Sequence, residues 1–199
     1  DIIAVPPGKE AAESTLQSAL AMGADRGILI RSDYSPDSMV TARALKTAIE
    51  QDGAPDIIFS GNESIDSEGF QTMFRLGAAL KLPVASNVVA FKMSGRFVTA
   101  ECKMDAGSMG VIRMSLPCIV GAGKALNKPR YPTLPDIMKA RKKPIRTITL
   151  DSLDLDSPAG SLEIVELRPA VEKRRHKIIE GPLEAAVPKL VRLLRDEAK

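Results

Sequence analysis

Residues 61–72, GNESIDSEGFQT, gather the groups in this sequence best suited to hold a ligand. Gly61 and Gly69 let a main chain come close to a bound molecule. Asn62, Ser64, Ser67, Gln71 and Thr72 offer hydrogen bonds, and Glu63, Ile65 and Phe70 complete the stretch. Glycines and hydroxyls ahead of a helix suit a phosphate, because the first N–H groups of a helix lack intrahelical acceptors and carry positive partial charge. Neither GxGxxG nor GxxxxGK[ST] is present, and an ordinary strand-to-helix connection with a Ser cap accounts for the same residues. Asp66 and Glu68 could form a metal or acid pair, but capping a helix that starts near Ser67 is the simpler role for them. His176, the single histidine, stands in the charged run EKRRHK, and no Ser-His-Asp set assembles around it. Cys102 and Cys118 lie in strand-like runs without CxxC spacing, as buried thiols of a reducing compartment do. Met22, Met39, Met73, Met104, Met109, Met114 and Met138 read as core filler.

A second stretch, ALNKPRYPTLPDIMKARKKPI at residues 125–145, has another character. Four prolines stiffen it, Leu134 stands alone between a threonine and a proline, and Lys139, Arg141, Lys142, Lys143 and Arg146 follow. Such a positive run is ordinarily a solvated face. Beside an outward-held leucine it could equally receive an acidic partner.

The elements that must position these groups follow from periodicity. DIIAVPPG (1–8), RGILIR (26–31) and PDIIFSG (55–61) read as buried strands. KEAAESTLQSALAMG (9–23), MVTARALKTAIEQDG (39–53) and SEGFQTMFRLGAALKL (67–82) read as helices. Leu16, Ala19 and Leu20 share a face of the first helix, and Gly23 suits the position past its end. Val40, Ala44, Leu45, Ala48 and Ile49 share a face of the second. Strands alternating with helices predict a parallel sheet with crossover helices. Residues 83–123 then alternate without a helix and are split by Ser-Gly and Ala-Gly turns, which predicts a hairpin or meander joining that sheet. Residues 1–147 form one α/β domain on this reading. The remainder, 148–199, is a polar linker and an arm: a strand over LEIVELRP (162–169), a charged loop, and an amphipathic helix over 182–198 carrying Leu183, Ala186, Val187, Leu190, Val191 and Leu194. A strand and a helix isolated by linkers are expected to pack on another chain.

Composition narrows the function. The 199 residues are 44% hydrophobic and 27% charged, which suits one globular domain with an arm. A net charge of +3 with 4% aromatic residues argues against nucleic acid. No apolar run reaches the roughly 18 residues of a membrane span, and no signal peptide is visible.

The long proline-rich stretch LNKPRYPTLPDIMKARKKPI resembles the signature of electron transfer flavoprotein β-subunits. ALAMGADRG, SGNESIDSEGFQT and RRHKIIEG agree with that family in the same order, so the resemblance runs over nearly the whole chain. It implies a Rossmann-like, adenine-nucleotide-hydrolase-like fold. It implies a heterodimer with an α-subunit that holds most of the redox FAD, and an AMP in this subunit, replaced by a second FAD in electron-bifurcating relatives. The family's nucleotide loop falls on Gly61 to Thr72, with a first-strand contact at Pro7 beside Gly8. Its recognition loop falls on Pro129 to Lys143, with Tyr131, Leu134, Ile137, Met138, Lys139, Arg141, Lys142 and Lys143 as docking residues and Leu134 as the anchor in a pocket of an acyl-CoA-type or other flavin dehydrogenase. Electrons would pass on to an acceptor such as a quinone oxidoreductase. The subunit would be an electron carrier rather than an enzyme, without a metal, in the cytoplasm of a bacterium or archaeon or in the mitochondrial matrix. Met73 replaces a family glycine and is expected to narrow or reshape the nucleotide site. Lys103 or Cys102 replaces an acidic residue near the flavin. Family members usually begin with a further strand carrying adenine contacts, which would stand before Asp1. A stand-alone nucleotide sensor of the same fold would need neither docking loop nor arm. A hydrolytic or adenylate-forming enzyme would need a charged set aimed at the phosphates.

Overall fold

The computed structural model describes residues 1–65, 68–153, 155, 165–166, 168–169 and 178–197. The chain divides into two units, Asp1–Glu163 and Ile164–Lys199.

In the first unit the parallel pairing is shared between two sheets. β3 (Arg26–Arg31) is the centre of one, with Ile28, Leu29 and Ile30 buried. Along one edge run β1 (Ile3–Ala4) and β2 (Pro7–Gly8), both parallel to it, with Ile3 opposite Arg26 and Pro7 opposite Ile30. The single strand expected over 1–8 is thus broken at the prolines, which have no N–H to give a ladder. Along the other edge runs β9 (Ile145–Thr149), from Gly27↔Ile145 to Arg31↔Thr149. The second sheet has the order β4-β8-β5-β6-β7. β4 (Ile57–Gly61), β8 (Cys118–Ala122) and β5 (Val84–Ser94) are parallel neighbours. β6 (Phe97–Lys103) and β7 (Met109–Ser115) extend β5 as an antiparallel meander, whereas β8, expected within that meander, returns as a parallel strand between β4 and β5.

Helices join the sheets. α1 (Ala12–Met22) buries Leu16 and Leu20, and α2 (Ser38–Asp52) starts at Asp37, whose carboxylate accepts from the N–H groups of Met39 and Val40 at 2.8 and 2.9 Å. Val40, Ala44 and Ala48 of α2 pack with Ile28 and Ile30. Ala42 packs instead with Met73 and Leu76 of α3 (Thr72–Leu80) and Ile119 of β8, so α2 serves both sheets.

Two expectations change here. The boundary expected after residue 147 falls inside β9. The polar run beyond it folds back, burying Leu150, Leu153 and Leu155 against Ile28, Ile30 and Val40. The leucines of TLDSLDL recur every two or three residues among acids and serines, so their burial gives no helical or strand pattern to read. Met73 and Met114 are buried as expected of core filler, whereas Met22, Met104, Met109 and Met138 are exposed.

In the second unit, α5 (Leu183–Glu197) forms where the amphipathic pattern predicts it and contains Pro188. Leu183, Val187, Leu190, Val191 and Leu194 remain exposed. Half of the strand expected over 162–169 lies outside the described residues, and its described members 165, 166, 168 and 169 are not in a strand. His176 and the rest of its charged loop also lie outside them.

Candidate functional site

β4 ends at Gly61, paired with Ala122 at the end of β8, so the segments that follow leave the sheet side by side. This is the carboxyl end of parallel strands, where α/β folds bind ligands. The first segment carries the expected nucleotide loop. Its helix starts at Thr72 rather than near Ser67, so residues 62–71 form a longer loop than the sequence implies. Glu68 and Phe70 have φ of 46°, a left-handed backbone incompatible with a helix, and Glu68 does not cap α3. Asp66 and Ser67 lie outside the described residues.

The loop is pinned from within. Asn62 Nδ2 donates to Asn87 Oδ1 at 2.9 Å, and the Asn87 N–H donates to Asn62 Oδ1 at 3.3 Å. Asn87 has φ of 52° and sits where β5 slips register against β8. The clasp passes over Gly121 of β8. A Cβ there would lie 2.8 Å from Asn62 Oδ1, 2.6 Å from Met73 Sδ and 3.1 Å from Ser86 Cα, so only glycine lets the clasp close. Gln71 Oε1 accepts from Arg75 Nη2 at 2.5 Å, and Phe70 stacks edge-on against Phe74. Asn62, Gln71 and Phe70 therefore hold the loop's shape. Glu63, Ser64, Ile65, Glu68 and Gly69 are exposed, and open space lies before Gly61. Met73, only 1% exposed, points into the core and does not narrow the loop as its departure from the family suggested. Pro7 and Gly8 stand in the other sheet, paired with Ile30 and Arg31.

The electrostatics of the loop are mixed. Glu63 and Glu68 disfavour an anion, so a phosphate held here would need donors from neighbouring groups. α3 has no side-chain cap, and its first N–H groups together with the Thr72 hydroxyl are suited to a phosphate. The second segment supplies cations. Lys124 and Lys128, with Gly123, Ala125, Asn127 and Pro129, line a cavity of about 610 Å³ directly beyond the end of β8. These lysines were not singled out from the sequence. Only the pairing of Gly61 with Ala122 brings the start of their segment beside the end of β4. The uncapped start of α3 and the lysines beyond β8 are each of a kind that can receive a phosphate.

Residues 129–143 build a second feature. Thr133 caps α4 (Leu134–Ala140) with a full capping box. Asp136 Oδ2 accepts from the Thr133 N–H at 3.0 Å and from its hydroxyl at 2.6 Å, while the Asp136 N–H donates to Thr133 Oγ1 at 3.4 Å. Those bonds from Thr133 hold the Asp136 carboxyl below its ordinary range. Leu134 takes the first helical position and Pro135 the second, where a missing N–H costs nothing. Leu134 is 73% and Tyr131 93% exposed; Met138 and Ile137 are exposed as well. Ala140 alone on α4 is buried, against Leu16 and Leu20 of α1.

The basic residues separate into two roles. Lys143 Nζ donates to the Leu20 and Ala24 carbonyls at 2.9 and 2.6 Å, closing the C-terminal end of α1. Cations are favoured there by the helix dipole. Arg130 lies over the same end, its Nη1 3.6 Å from where a Cβ on Gly23 would stand. Lys143, expected among the docking residues, is thus bound to the fold. Lys139, Arg141 and Lys142 make no salt bridge among the described residues. Burial pushes the Cys102 and Cys118 thiols up, which suits inert core residues. No group of acidic, His or Cys side chains among the described residues could hold a metal ion.

A family model described as the electron transfer flavoprotein domain matches residues 1–153. Over the whole chain, the sequence is 36% identical to the electron transfer flavoprotein subunit beta of Bacillus subtilis (strain 168), spanning 78% of that protein. It is 32% identical to the subunit of the same name from Syntrophomonas wolfei and 31% to the mitochondrial one of Arabidopsis thaliana, each alignment spanning all of this chain and 76% of the relative.

Proposed function

The chain belongs to the electron transfer flavoprotein β-subunit family, and from that premise we propose how its two sites divide the work of electron transfer. Flavin-associated electron transfer and a paired flavoprotein subunit come with the family. On our reading the α-subunit holds most of the redox FAD. The loop at residues 61–72 and the Lys124–Lys128 segment hold the phosphates of an AMP, and Leu134 enters a pocket on a flavin dehydrogenase. The subunit is an electron carrier and catalyses no bond chemistry itself. No helix among the described residues is long and apolar enough to cross a membrane, and the relatives include bacterial and mitochondrial proteins. We place this one in a prokaryotic cytoplasm.

The observation that carries the docking role is Leu134 itself. A 73% exposed leucine sits at the first position of a short helix fixed at one end by a capping box and at the other by Ala140 and Lys143. An isolated exposed leucine needs no explanation. One presented so rigidly loses little entropy when it is buried. Its transfer to an apolar pocket contributes about 1.5–3 kcal/mol. Leu134→Ala should then weaken docking by about tenfold to a hundredfold, mainly by faster dissociation at any ionic strength. Neutralising Lys139 and Lys142 should instead slow association at low salt. Electron transfer from the cognate dehydrogenase, followed across a salt series, separates the two. Equal rates for parent and Leu134→Ala at subsaturating concentration would remove the anchor. The nucleotide is tested separately, by releasing it from purified heterodimer and weighing it: AMP supports the reading, a second FAD puts the protein with the bifurcating relatives, and no nucleotide leaves the loop a structural connection.

A further inference from the structure

The docking helix does not stand alone on the surface. α4 touches α1 through Ala140, and to one side of that contact the two helices part to leave a groove of about 460 Å³. Ser14, Gln17, Ser18 and Ala21 form one wall, with Ile137 and Arg141 opposite. The α1 residues fall at i, i+3, i+4 and i+7, so a single helix face supplies that wall. It carries no charge, and its side chains are small except for Gln17. Leu134, Ile137 and Arg141 fall at i, i+3 and i+7, so the anchor and the groove's second wall lie on one side of the docking segment. A partner that buries Leu134 overlies the groove.

The chemistry of the groove is one-sided. The Ser14 hydroxyl donates to the Ala11 carbonyl at 2.8 Å and the Ser18 hydroxyl to the Ser14 carbonyl at 3.0 Å, so both hydrogens are committed to the helix. Arg141 is the one charged residue of the lining, and none of the lining residues is acidic. Lys139 and Lys142 lie in the same exposed basic run and reinforce its sign. Gln17 Oε1 is buried without a hydrogen-bond partner among the described residues, and as an acceptor it offers a carboxylate nothing, so Arg141 is the group of the lining that can pair with one. An exposed guanidinium forms its strongest contacts with a carboxylate, which it can grip with two parallel bonds once water is excluded.

We propose that this groove is a second point of contact with the flavin dehydrogenase, in which an acidic side chain of the dehydrogenase enters beside the buried Leu134 and pairs with Arg141. The proposal rests on the reading of Leu134 as the docking anchor and adds to it a socket that includes α1, outside the recognition segment. A knob next to a charged socket fixes orientation as well as affinity, because one contact leaves rotation about the leucine free and two do not.

The test uses the intact heterodimer and its cognate dehydrogenase, reading KM for the dehydrogenase, kcat, flavin content and thermal midpoint. Ala21→Leu, which fills the groove with a good helix former, should raise KM by about tenfold with kcat, flavin content and midpoint unchanged. Ser18→Leu, at an exposed position, is the second filler should the first disturb α1. Arg141→Glu should raise KM by about tenfold or more, and lysine in place of one acidic residue on the dehydrogenase's docking face should restore it. If Leu134→Ala weakens docking while neither filler does, the groove is no socket and the anchor stands. If Leu134→Ala has no effect, both fall. If Arg141→Glu acts only at low salt and no charge reversal on the dehydrogenase rescues it, Arg141 belongs to a diffuse field and the pairing is overturned.

Discussion

Asp52 shows how single residues tie distant parts of the chain. At the end of α2 its carboxylate receives Arg26 Nη1 at 2.7 Å and Nη2 at 2.6 Å, a two-pronged bond to the first residue of β3. The Arg26 Nε donates to Asp1 at 2.7 Å. The bond from Arg26 holds the Asp52 carboxyl below its ordinary 3.8, against a smaller opposing effect of burial. The sign of the pH effect follows. A carboxyl whose folded value is depressed contributes all its stability above its unfolded value, and loses it as pH falls through the lower folded one. The stability gap between the parent and Asp52→Asn should therefore be constant from neutral pH down to about 4 and close only below that. Urea midpoints at a series of pH values check this. A gap that does not shrink at all as pH falls below 3.8 would mean that Asp52 acts through packing rather than charge.

At the scale of elements, the docking helix depends on α1. α4 is a helix of 7 residues, too short to be stable alone. The capping box starts it, Ala140 seats it and Lys143 locks it to the C-terminal carbonyls of α1. Lys143→Met keeps the aliphatic stem and removes the ammonium. A hydrogen bond to a charged group contributes about 1.5–3 kcal/mol, so the variant should unfold at correspondingly lower urea and present Leu134 less firmly. Lys142→Met, a few ångströms along the same run in sequence but without such a bond, should stay within about 0.5 kcal/mol of the parent. Equal effects of the two substitutions in urea titrations would show that the lock contributes nothing. The dependence also gives the motif ALAMGADRG a physical purpose. Leu20, Gly23 and Ala24 shape the helix end that Arg130 and Lys143 hold, so two segments a hundred residues apart in sequence form one structure.

At the scale of the molecule, α5 is an amphipathic helix whose Leu183, Val187, Leu190, Val191 and Leu194 are left exposed. We expect that face to lie on the partner flavoprotein subunit. Leu190→Asp with Leu194→Asp would bury unpaired charge there and should weaken the heterodimer by about a hundredfold or more, leaving the melting of the first unit unchanged. Sedimentation of the mixed subunits reads the first effect and calorimetry the second; an unweakened heterodimer would place the helix elsewhere. Much of this organisation was legible in the residues. Helices α1, α2 and α5, the buried β3 and the meander of β5, β6 and β7 follow from periodicity, because burial of one face imposes a repeat that a single sequence displays. Gly61 to Thr72 and Leu134 stood out by residue type and by resemblance to a family signature. What only the tertiary structure decided were relations between segments. Periodicity cannot show that β9 pairs with β3 and draws Leu150 and Leu153 into the core. It cannot show that Asn62 clasps Asn87 over Gly121, that Lys124 and Lys128 line a cavity beyond β8, or that Lys143 bonds the end of α1. Each of these depends on which strands and helices become neighbours, and a hydrogen bond between residues 25 or 119 positions apart leaves no mark on the local pattern of either.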